Sequence, residues 1–390
     1  MYDAVVVGAG FAGSICARKL AEEYGKKVLL VEERGVIAGN MYDYYDEEGI
    51  LVHKYGPHIL TIDDREVFEY LTRFTEWRAY HHEVQAEIDG CVVPLPINFK
   101  SIDMLFSPLV ADELKRLLKD KYVNRENVTI DEMMQCTDPK IKAFAKFVFE
   151  KVFIHYTEKM WGKSPNKLDE TVLGRVPVRL SYDSRYFQKR YQYMPSDGYV
   201  TMFSKLLEHP NITLQLNTKS EDILRFDPKR KRVCLHGLDL ADEQTIDLLI
   251  YTGALDRLFD YKHGELPYRT LYFEHRRCPQ EHVQNAAVVN YPDCRPATRC
   301  TEMKWLTAQT VHGVTSTVTE YPHEYEHGNP IYGEPYYPIV CAENYKLYDL
   351  YAKEASEYKC LRLVGRMAEY RYYNMEEVIK RAFTLVKEIG

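Results

Sequence analysis

The hydrophobic pattern is clearest at the N-terminal end of the chain. An apolar run at residues 5–7 predicts a buried strand, and after a glycine-rich turn apolar residues return at helical spacing from about Ala12 to Tyr24. Residues 27–32 form a second apolar run and predict another strand. This strand–helix–strand order is one βαβ unit, and it predicts an α/β fold that begins with a Rossmann-like domain.

Helical spacing also dominates the stretch between about residues 100 and 160. Leu114 and Leu118 recur on one face of a predicted helix, and Asp138-Pro139 is typical of a helix cap followed by its first turn. These patterns predict a helical insertion.

Alternation of apolar and polar residues at 84–93, 270–275 and 313–319 predicts antiparallel strands. A last helix is predicted from about Met375 to Ile389, where apolar positions again have helical spacing. Because no Pro/Ser-rich linker separates these stretches, we expect the domains to be interleaved along the chain.

Charge and composition narrow the classes of partner. The 390 residues carry 51 basic and 58 acidic side chains, a net charge of −7, so we expect neither nucleic acid nor an anionic membrane as a partner. The nine cysteines include no CxxC pair, which predicts no metal site and no disulfide framework and favours a reducing, cytoplasmic location. We also expect no export signal and no membrane span.

The 32 tyrosines suit ligands with flat rings and hydroxyl groups, because a tyrosine stacks on a ring and still donates a hydrogen bond. An anionic ligand of this acidic chain would have to be held by local arginines.

A dinucleotide site is predicted at the turn between the first strand and helix. Gly8, Gly10 and Gly13 would allow a tight turn, a close approach of backbone to a pyrophosphate, and close packing of helix on strand. The helix N-terminus would face the phosphates. Glu32 ends the second strand, where a carboxylate can accept hydrogen bonds from the adenosine ribose, and a merely structural glycine turn would not explain this acidic residue.

The residues that follow favour FAD over NAD. Glu32-Glu33-Arg34 and then Gly39-Asn40 resemble the extended motif of the two-dinucleotide-binding-domain (GR2-type) flavoproteins. Ala38 departs from that motif, which usually has a glycine there, and a methyl group is tolerated if the backbone angle is ordinary.

Several short segments then occur in a family-specific order. They are His53 to His58 (HKYGPH), Tyr156 to Gly162 (YTEKMWG), Arg175 to Arg179 (RVPVR), Glu334 to Pro338 (EPYYP) and Gly365 to Met375 (GRMAEYRYYNM). Together they resemble bacterial UDP-galactopyranose mutases over essentially the whole chain.

The resemblance implies an isomerase that interconverts UDP-galactopyranose and UDP-galactofuranose, as in the synthesis of cell-surface polysaccharides. It implies that FAD must be reduced, because its N5 atom is the nucleophile at the anomeric carbon. It also implies a UDP-sugar as substrate and a homodimer.

The same resemblance assigns residues to the site. Arg175, Arg299 and His58 would be catalytic. The substrate-binding residues would be Tyr156, Thr157, Trp161, Arg175, Tyr186, Asn290, Arg299, Tyr337, Tyr372 and His82. The cofactor-binding residues would be Gly8, Gly10, Phe11, Gly13, Glu32, Arg34, Gly39, Asn40, His58, Thr61, Gly365, Arg366, Tyr372, Asn374 and Met375.

The predicted domains are a discontinuous FAD-binding domain, a helical domain, an antiparallel-sheet substrate domain and a mobile lid. Their residues are 1–77, 199–255 and 338–390 for the first, 98–168 for the second, 78–97, 176–198 and 256–337 for the third, and 164–183 for the lid.

Three departures from the family pattern leave the identity of the substrate's sugar undecided. Thr61 stands where the family has a second histidine, Asn374 where many relatives have Asp, and His82 where Asn is frequent. The alternatives are a mutase for UDP-N-acetylgalactosamine or for a dTDP- or UDP-linked 6-deoxy sugar, and an amine-oxidase-like flavin oxidoreductase. A non-catalytic nucleotide-binding protein is a third class.

Overall fold

The computed structural model describes residues 1–162, 177–238 and 242–390. Its strands are β1 (Ala4–Val7), β2 (Val28–Val31), β3 (Asp43–Tyr45), β4 (Leu51–His53), β5 (Leu60–Ile62), β6 (Trp77–Ala79), β7 (Val84–Ile88), β8 (Cys91–Leu95), β9 (Asn127–Val128), β10 (Val178–Arg179), β11 (Tyr191–Pro195), β12 (Ile212–Gln215), β13 (Leu224–Asp227), β14 (Arg232–Leu235), β15 (Gln244–Thr245), β16 (Leu249–Tyr251), β17 (Tyr268–Cys278), β18 (Val288–Asn290), β19 (Arg299–Glu302), β20 (Thr315–Glu324), β21 (Tyr337–Pro338) and β22 (Leu361–Leu363).

The helices are α1 (Phe11–Tyr24), α2 (Arg65–Thr72), α3 (Phe99–Leu105), α4 (Pro108–Lys121), α5 (Ile130–Met134), α6 (Pro139–Val148), α7 (His155–Trp161), α8 (Gly198–Leu207), α9 (Ser220–Ile223), α10 (Leu255–Leu258), α11 (Met303–Thr307), α12 (Ala342–Ser356) and α13 (Met375–Ile389). A 3₁₀ turn forms at Gly39–Met41, and a π-helical segment at Phe149–Ile154 joins α6 to α7.

The N-terminal βαβ unit lies in a parallel five-stranded sheet. The strand order is β12-β2-β1-β16-β22, and every pairing in it is parallel, as in a Rossmann-like domain. Strands β1 and β2 are almost wholly apolar and buried because helices cover the sheet. Helix α1 packs along α13, so the two ends of the chain build one domain.

The second large sheet has seven strands. Its order is β21-β17-β20-β19-β18-β7-β8, and β17 and β20 form its longest antiparallel ladder. One pairing differs from the antiparallel prediction, because β7 and β18 run parallel. The stretch predicted over 84–93 is a hairpin of β7 and β8, with Asp89 and Gly90 at positive φ in its turn.

Helices α3 to α7 lie in the region predicted to be helical. Asp138 caps α6 through its carboxylate, which accepts from the N–H groups of Lys140 and Ile141, and Pro139 occupies the first helical position. The π-helical segment then feeds directly into α7, which carries Tyr156. Within the described ranges, no helix has the length and hydrophobicity to span a bilayer.

Candidate active site

The glycine loop and the C-terminal segment meet at the N-terminus of α1. A Cβ atom placed on Gly13 would lie 1.9 Å from the carbonyl oxygen of Gly8, so the helix touches the loop only because Gly13 has no side chain. Gly8 has φ +99°, and a Cβ there would lie 2.1 Å from Thr252 Oγ1. At Gly365, φ is +103° and a Cβ would lie 3.2 Å from the Cβ of Ala12. The loop, the helix start and the 365 turn therefore form one close-packed cradle.

A second glycine turn closes the cradle from the side. A Cβ on Gly39 would lie 2.9 Å from the Cα of Gly10, and the Ala38 N–H donates to the Ala9 carbonyl over 3.0 Å. Ala38 itself has φ 77°, in the left-handed region, and is completely buried. The methyl group at 38 was expected to be tolerated if the backbone angle is ordinary, and that condition is not met, because alanine rarely adopts this conformation.

The backbone N–H groups at the start of α1 have no side-chain cap from Gly10, which leaves them directed at the cradle. Phe11 contributes only backbone here, because its ring packs 4.8 Å from the ring of Phe203 in the core. The geometry fits the pyrophosphate of a dinucleotide, which needs close backbone approach and N–H donors rather than side chains.

The Glu32 carboxylate is hydrogen-bonded to backbone N–H groups, one of them in the glycine loop. Its carboxylate accepts the Ala9 N–H over 2.8 Å and the Arg34 N–H over 3.0 Å, and burial raises its pKa against these two lowering contacts. The predicted ribose contact would use the remaining lone pairs of the carboxylate.

Arg34 lies 4.9 Å above the ring of Tyr55 and is ion-paired with Glu334. Its Nη1 is buried without a hydrogen-bond partner among the described residues, which leaves this donor free for the predicted cofactor contact. Asn40 lies in the adjoining 3₁₀ turn and is partly buried.

Arg366 joins the cradle to two of the tyrosines predicted to bind the diphosphate. Its guanidinium lies 5.0 Å from the ring of Tyr337 and 5.2 Å from that of Tyr372, and these rings stack 5.9 Å apart. One nitrogen donates to the Tyr373 carbonyl over 2.6 Å. The cation is therefore fixed beside both phenols.

Asn374 and Met375 begin the last helix. The Asn374 Oδ1 accepts the Glu377 N–H over 2.9 Å, and the Glu377 carboxylate accepts the Asn374 N–H, which makes a capping box. Asn374 is exposed, so its side chain has a structural role besides the predicted cofactor contact.

His58 is affected by the charges of Arg366, a predicted cofactor residue, and of Arg299, a predicted substrate residue. Its pKa is lowered to about 3, mainly by burial and then by the charges of His53, Arg366 and Arg299, while the Gly56 carbonyl acts in the opposite direction. The imidazole is therefore neutral at pH 7. Its Nδ1 lies 3.0 Å from the Gly56 carbonyl oxygen, which makes Nδ1 the donor and leaves Nε2 as an acceptor.

Arg299 begins β19, directly opposite Asn290 on one neighbouring strand and Glu320 on the other. Its Nε lies 2.7 Å from Glu320 Oε1, and the Glu320 side chain is almost completely buried. The Asn290 side chain is buried too, and its Oδ1 has no hydrogen-bond partner in the described part of the chain. Glu320 is absent from the predicted site, because only strand pairing places it beside Arg299.

Aromatic side chains complete the group around Arg299. The Tyr186 ring lies 6.0 Å from that of His82, whose carbonyl accepts the Tyr186 N–H over 2.6 Å. Burial, and then the charge of Arg299, lowers the pKa of His82 to about 3. Burial raises the pKa of Tyr156 well above its usual range. The charge of Arg299 is the largest one acting on this phenol, and it opposes the rise.

The other predicted site residues are placed as follows. Thr157 is buried on α7, and Thr61 is partly buried on β5, opposite Gln192 of β11. Arg175 and most of the predicted lid lie outside the described residues, and the side chain of Trp161 is likewise outside them. Among the described residues, no group of three or more His, Cys, Asp or Glu side chains could hold a metal ion.

Comparisons with known proteins agree with this geometry. The family model described as UDP-galactopyranose mutase matches residues 151–372, and that of the NAD(P)-binding Rossmann-like domain matches residues 6–74. The chain is 32% identical to a UDP-galactopyranose mutase of Mycoplasma pneumoniae, over 100% of this chain and 96% of the relative. It is 31% identical to a dTDP-fucopyranose mutase of Escherichia coli, over 98% and 97% of the two chains.

Among solved structures, a reduced UDP-galactopyranose mutase superposes with a TM-score of 0.75 at 16% identity, covering 100% of this chain and 94% of the other. A putrescine oxidase double mutant superposes with a TM-score of 0.58 at 10% identity, covering 100% and 98%. Both likenesses support the fold, and neither decides the reaction.

Proposed function

We propose that this chain, which belongs to the UDP-galactopyranose mutase family, interconverts the pyranose and furanose forms of a UDP-linked galactose with reduced FAD as its cofactor. Membership makes it an enzyme of the isomerase class. One observation carries the proposal: the Arg366 guanidinium, next to the Gly365 turn of the cradle, lies 5.0 Å from the ring of Tyr337. The charges of Arg366 and of Arg299 both act to lower the pKa of Tyr337 and of His58, which links the cradle to the residues around Arg299. A ligand that reaches Arg299 would thus end beside the cofactor.

When bound, reduced FAD would supply an electron-rich N5 that attacks the anomeric carbon in place of any side-chain nucleophile. The cradle of Gly8, Gly13 and Gly365 would hold its pyrophosphate.

The chain's own residues would then act mainly on the leaving group. Arg299, with Tyr337 and Tyr372 beside Arg366, would bind the diphosphate, and Arg175 would complete this set. Tyr186 would stack on the uracil, next to Tyr156 and Asn290. His58 is neutral and could accept a hydrogen bond from the sugar or the cofactor, but it would not serve as a proton donor at pH 7.

The decisive experiment is product analysis with UDP-galactopyranose under anaerobic conditions, with and without dithionite. We expect UDP-galactofuranose only with the reductant. An oxidised product, with consumption of oxygen and no ring isomer, would instead identify an amine-oxidase-like oxidoreductase.

The cofactor itself has a separate test. The purified protein should be yellow, and denaturation should release FAD, because the cradle is built from glycine backbone and would hold the cofactor noncovalently. Flavin retained on the unfolded chain, or NAD released in its place, would contradict the assignment. The homodimer and the cytoplasmic location stay predictions.

A dTDP-linked 6-deoxy sugar is a second candidate substrate, supported by one relative of the chain and by the residue at position 61. The dTDP-fucopyranose mutase is nearly as similar as the UDP-galactopyranose mutase, at 31% against 32% identity. Thr61 shares a face of the β5–β11 pair with Gln192, whose buried Oε1 has no hydrogen-bond partner in the described residues. A histidine at 61 would add a ring and a hydrogen-bond donor there. With Thr61 we therefore expect a roomier and differently hydrogen-bonded site than in relatives that have the histidine.

We therefore expect Thr61→His to shift the ratio of catalytic efficiencies among UDP-galactose, its N-acetyl analogue and a dTDP-linked 6-deoxy sugar, all measured with dithionite. Unchanged ratios, together with a strong wild-type preference for UDP-galactose, would show that Thr61 is a neutral replacement.

A further inference from the structure

Lys159 lies on α7, three residues after Tyr156, and its ammonium ends among three backbone carbonyls. Nζ donates to the carbonyl oxygens of Tyr291, Arg295 (3.1 Å) and Ala297 (2.9 Å). An ammonium has three N–H donors and no acceptor, so this oxygen cluster matches a protonated lysine.

The three carbonyls belong to one connection, residues 291–298, which joins β18 to β19. Asn290 ends the strand before it and Arg299 begins the strand after it, and these two residues face each other across the ladder. The Lys159 side chain therefore ties the helix that carries Tyr156 to the strand ends that carry Asn290 and Arg299.

Arg269 holds the same helix from β17. Its Nε donates to the Met160 carbonyl and its Nη2 to the Lys159 carbonyl, each over 2.9 Å. These carbonyls lie in the last turn of α7, where helical partners run out and a cation is favourable. While Arg269 fixes the helix end, the lysine makes hydrogen bonds that span from α7 to the β18–β19 connection.

We propose that Lys159 is a positioning residue, whose ammonium sets the spacing between α7 and the β18–β19 connection and so aligns Tyr156 with Asn290 and Arg299 for a nucleoside diphosphate. The identity of that ligand rests on the proposed function.

The charge of Lys159 makes this arrangement sensitive to pH. Burial lowers its pKa to about 8, the Asp293 carboxylate opposes that change, and Arg295 and Cys294 act more weakly. Arg295 is compensated by Asp293 and Glu87, while Glu158 on α7 pairs with His155. The neutral amine has only two N–H donors and a lone pair. After deprotonation one of the three hydrogen bonds would be lost, and the nitrogen lone pair would face a carbonyl oxygen that repels it.

The test is the affinity of the FAD-loaded protein for UDP, measured by titration calorimetry at pH 7.5. We expect Lys159→Met to weaken UDP binding about tenfold, since a charged donor is lost, while FAD content stays unchanged. The matched control is Lys304→Met. Lys304 is a buried lysine on α11 whose ammonium, like that of partly buried Lys159, donates to backbone carbonyls, here those of Val311 and Val314. It also lies 3.3 Å from Glu281. Its loss should lower the melting temperature and leave UDP affinity alone.

The pH dependence of UDP affinity in wild type tests the proposal even if Lys159→Met does not fold. Wild type and Lys304→Met should both lose UDP affinity between pH 7.5 and pH 9, whereas a folded Lys159→Met should not follow that decline. A flat wild-type profile, or normal UDP affinity in Lys159→Met, overturns the positioning role alone. A wild type that does not bind UDP at pH 7.5 overturns the proposed function and this inference with it.

Discussion

The buried pair of Arg299 and Glu320 yields the sharpest prediction for the site. Replacing Glu320 with Gln keeps the shape of the side chain and removes its charge. At the 2.7 Å separation of the pair, the direct attraction is about 6 kcal/mol for an effective dielectric constant near 20. Because the substitution leaves the Arg299 cation buried without its charged partner, we expect a net cost closer to the roughly 3–5 kcal/mol typical of breaking a buried pair.

This cost translates into a measurable shift of the melting temperature. For 390 residues the unfolding entropy is about 0.8 kcal/mol per kelvin, so the variant should melt about 4–6 °C below wild type. UDP should then recover part of the loss, because its diphosphate brings about two negative charges to an arginine that has lost its partner. We expect the UDP-induced increase of the melting temperature to be about 1–2 °C larger in the variant than in wild type.

The control is Glu302→Gln. Glu302 is also completely buried, and its carboxylate accepts from His282, Thr315 and the N–H groups of Val283 and Gln284, with no part in the group around Arg299. That variant should be destabilised without any change in the UDP-induced increase. Equal UDP-induced increases in wild type and both variants would refute the reasoning, since Glu320 would then be a structural residue unrelated to the ligand.

Three further predictions address the arginine, the histidines and the last helix. Arg299→Met should lower catalytic efficiency about ten- to several-hundred-fold without loss of FAD, and adding Glu320→Gln should restore stability but not activity, as thermal melts and anaerobic assays would show. The pKa values of His53, His58 and His82, about 4, 3 and 3, lie below the ordinary 6.5. Unfolding therefore takes up protons, and stability that is complete above pH 6.5 should fall steadily toward pH 4. In urea titrations His82→Asn should flatten this decline, whereas the exposed neighbour His81→Asn should not. Asn374→Ala should cost about 1 kcal/mol of unfolding free energy through the lost cap, and Asn374→Asp should cost none. If Asn374→Ala melts like wild type, the capping role is wrong.

The elements that the sequence predicted well are those whose ends are marked locally. Helix α13 runs over the predicted Met375–Ile389 because Asn374 and Glu377 form a capping box and the apolar face is continuous. Strand β17 extends beyond the predicted 270–275, since its later residues Arg276 and Arg277 are exposed and conceal the alternation. The hairpin within 84–93 was missed although Asp89-Gly90 is a typical hairpin turn.

Residues of the candidate site could be predicted only where they belong to a recognisable sequence motif. Nothing local distinguishes Glu320 from other glutamates in an alternating strand, because its significance comes from a register that places it across from Arg299. The conformation of Ala38 could not be predicted either, since a positive φ contradicts the preference of alanine, and the hydrogen bond from its N–H to the Ala9 carbonyl is not visible in the sequence.

The pairing of Arg299 with Glu320 also alters how an acidic chain would hold a diphosphate. Glu320 balances the positive charge of Arg299, so this arginine would supply direction and hydrogen bonds to a diphosphate more than net charge. The uncompensated attraction must come from elsewhere, and Arg366, which contacts two phenol rings and backbone carbonyls, is the described cation placed to provide it. Since Arg366 also borders the cofactor cradle, nucleotide affinity should depend on the residue that the sequence assigned to FAD alone.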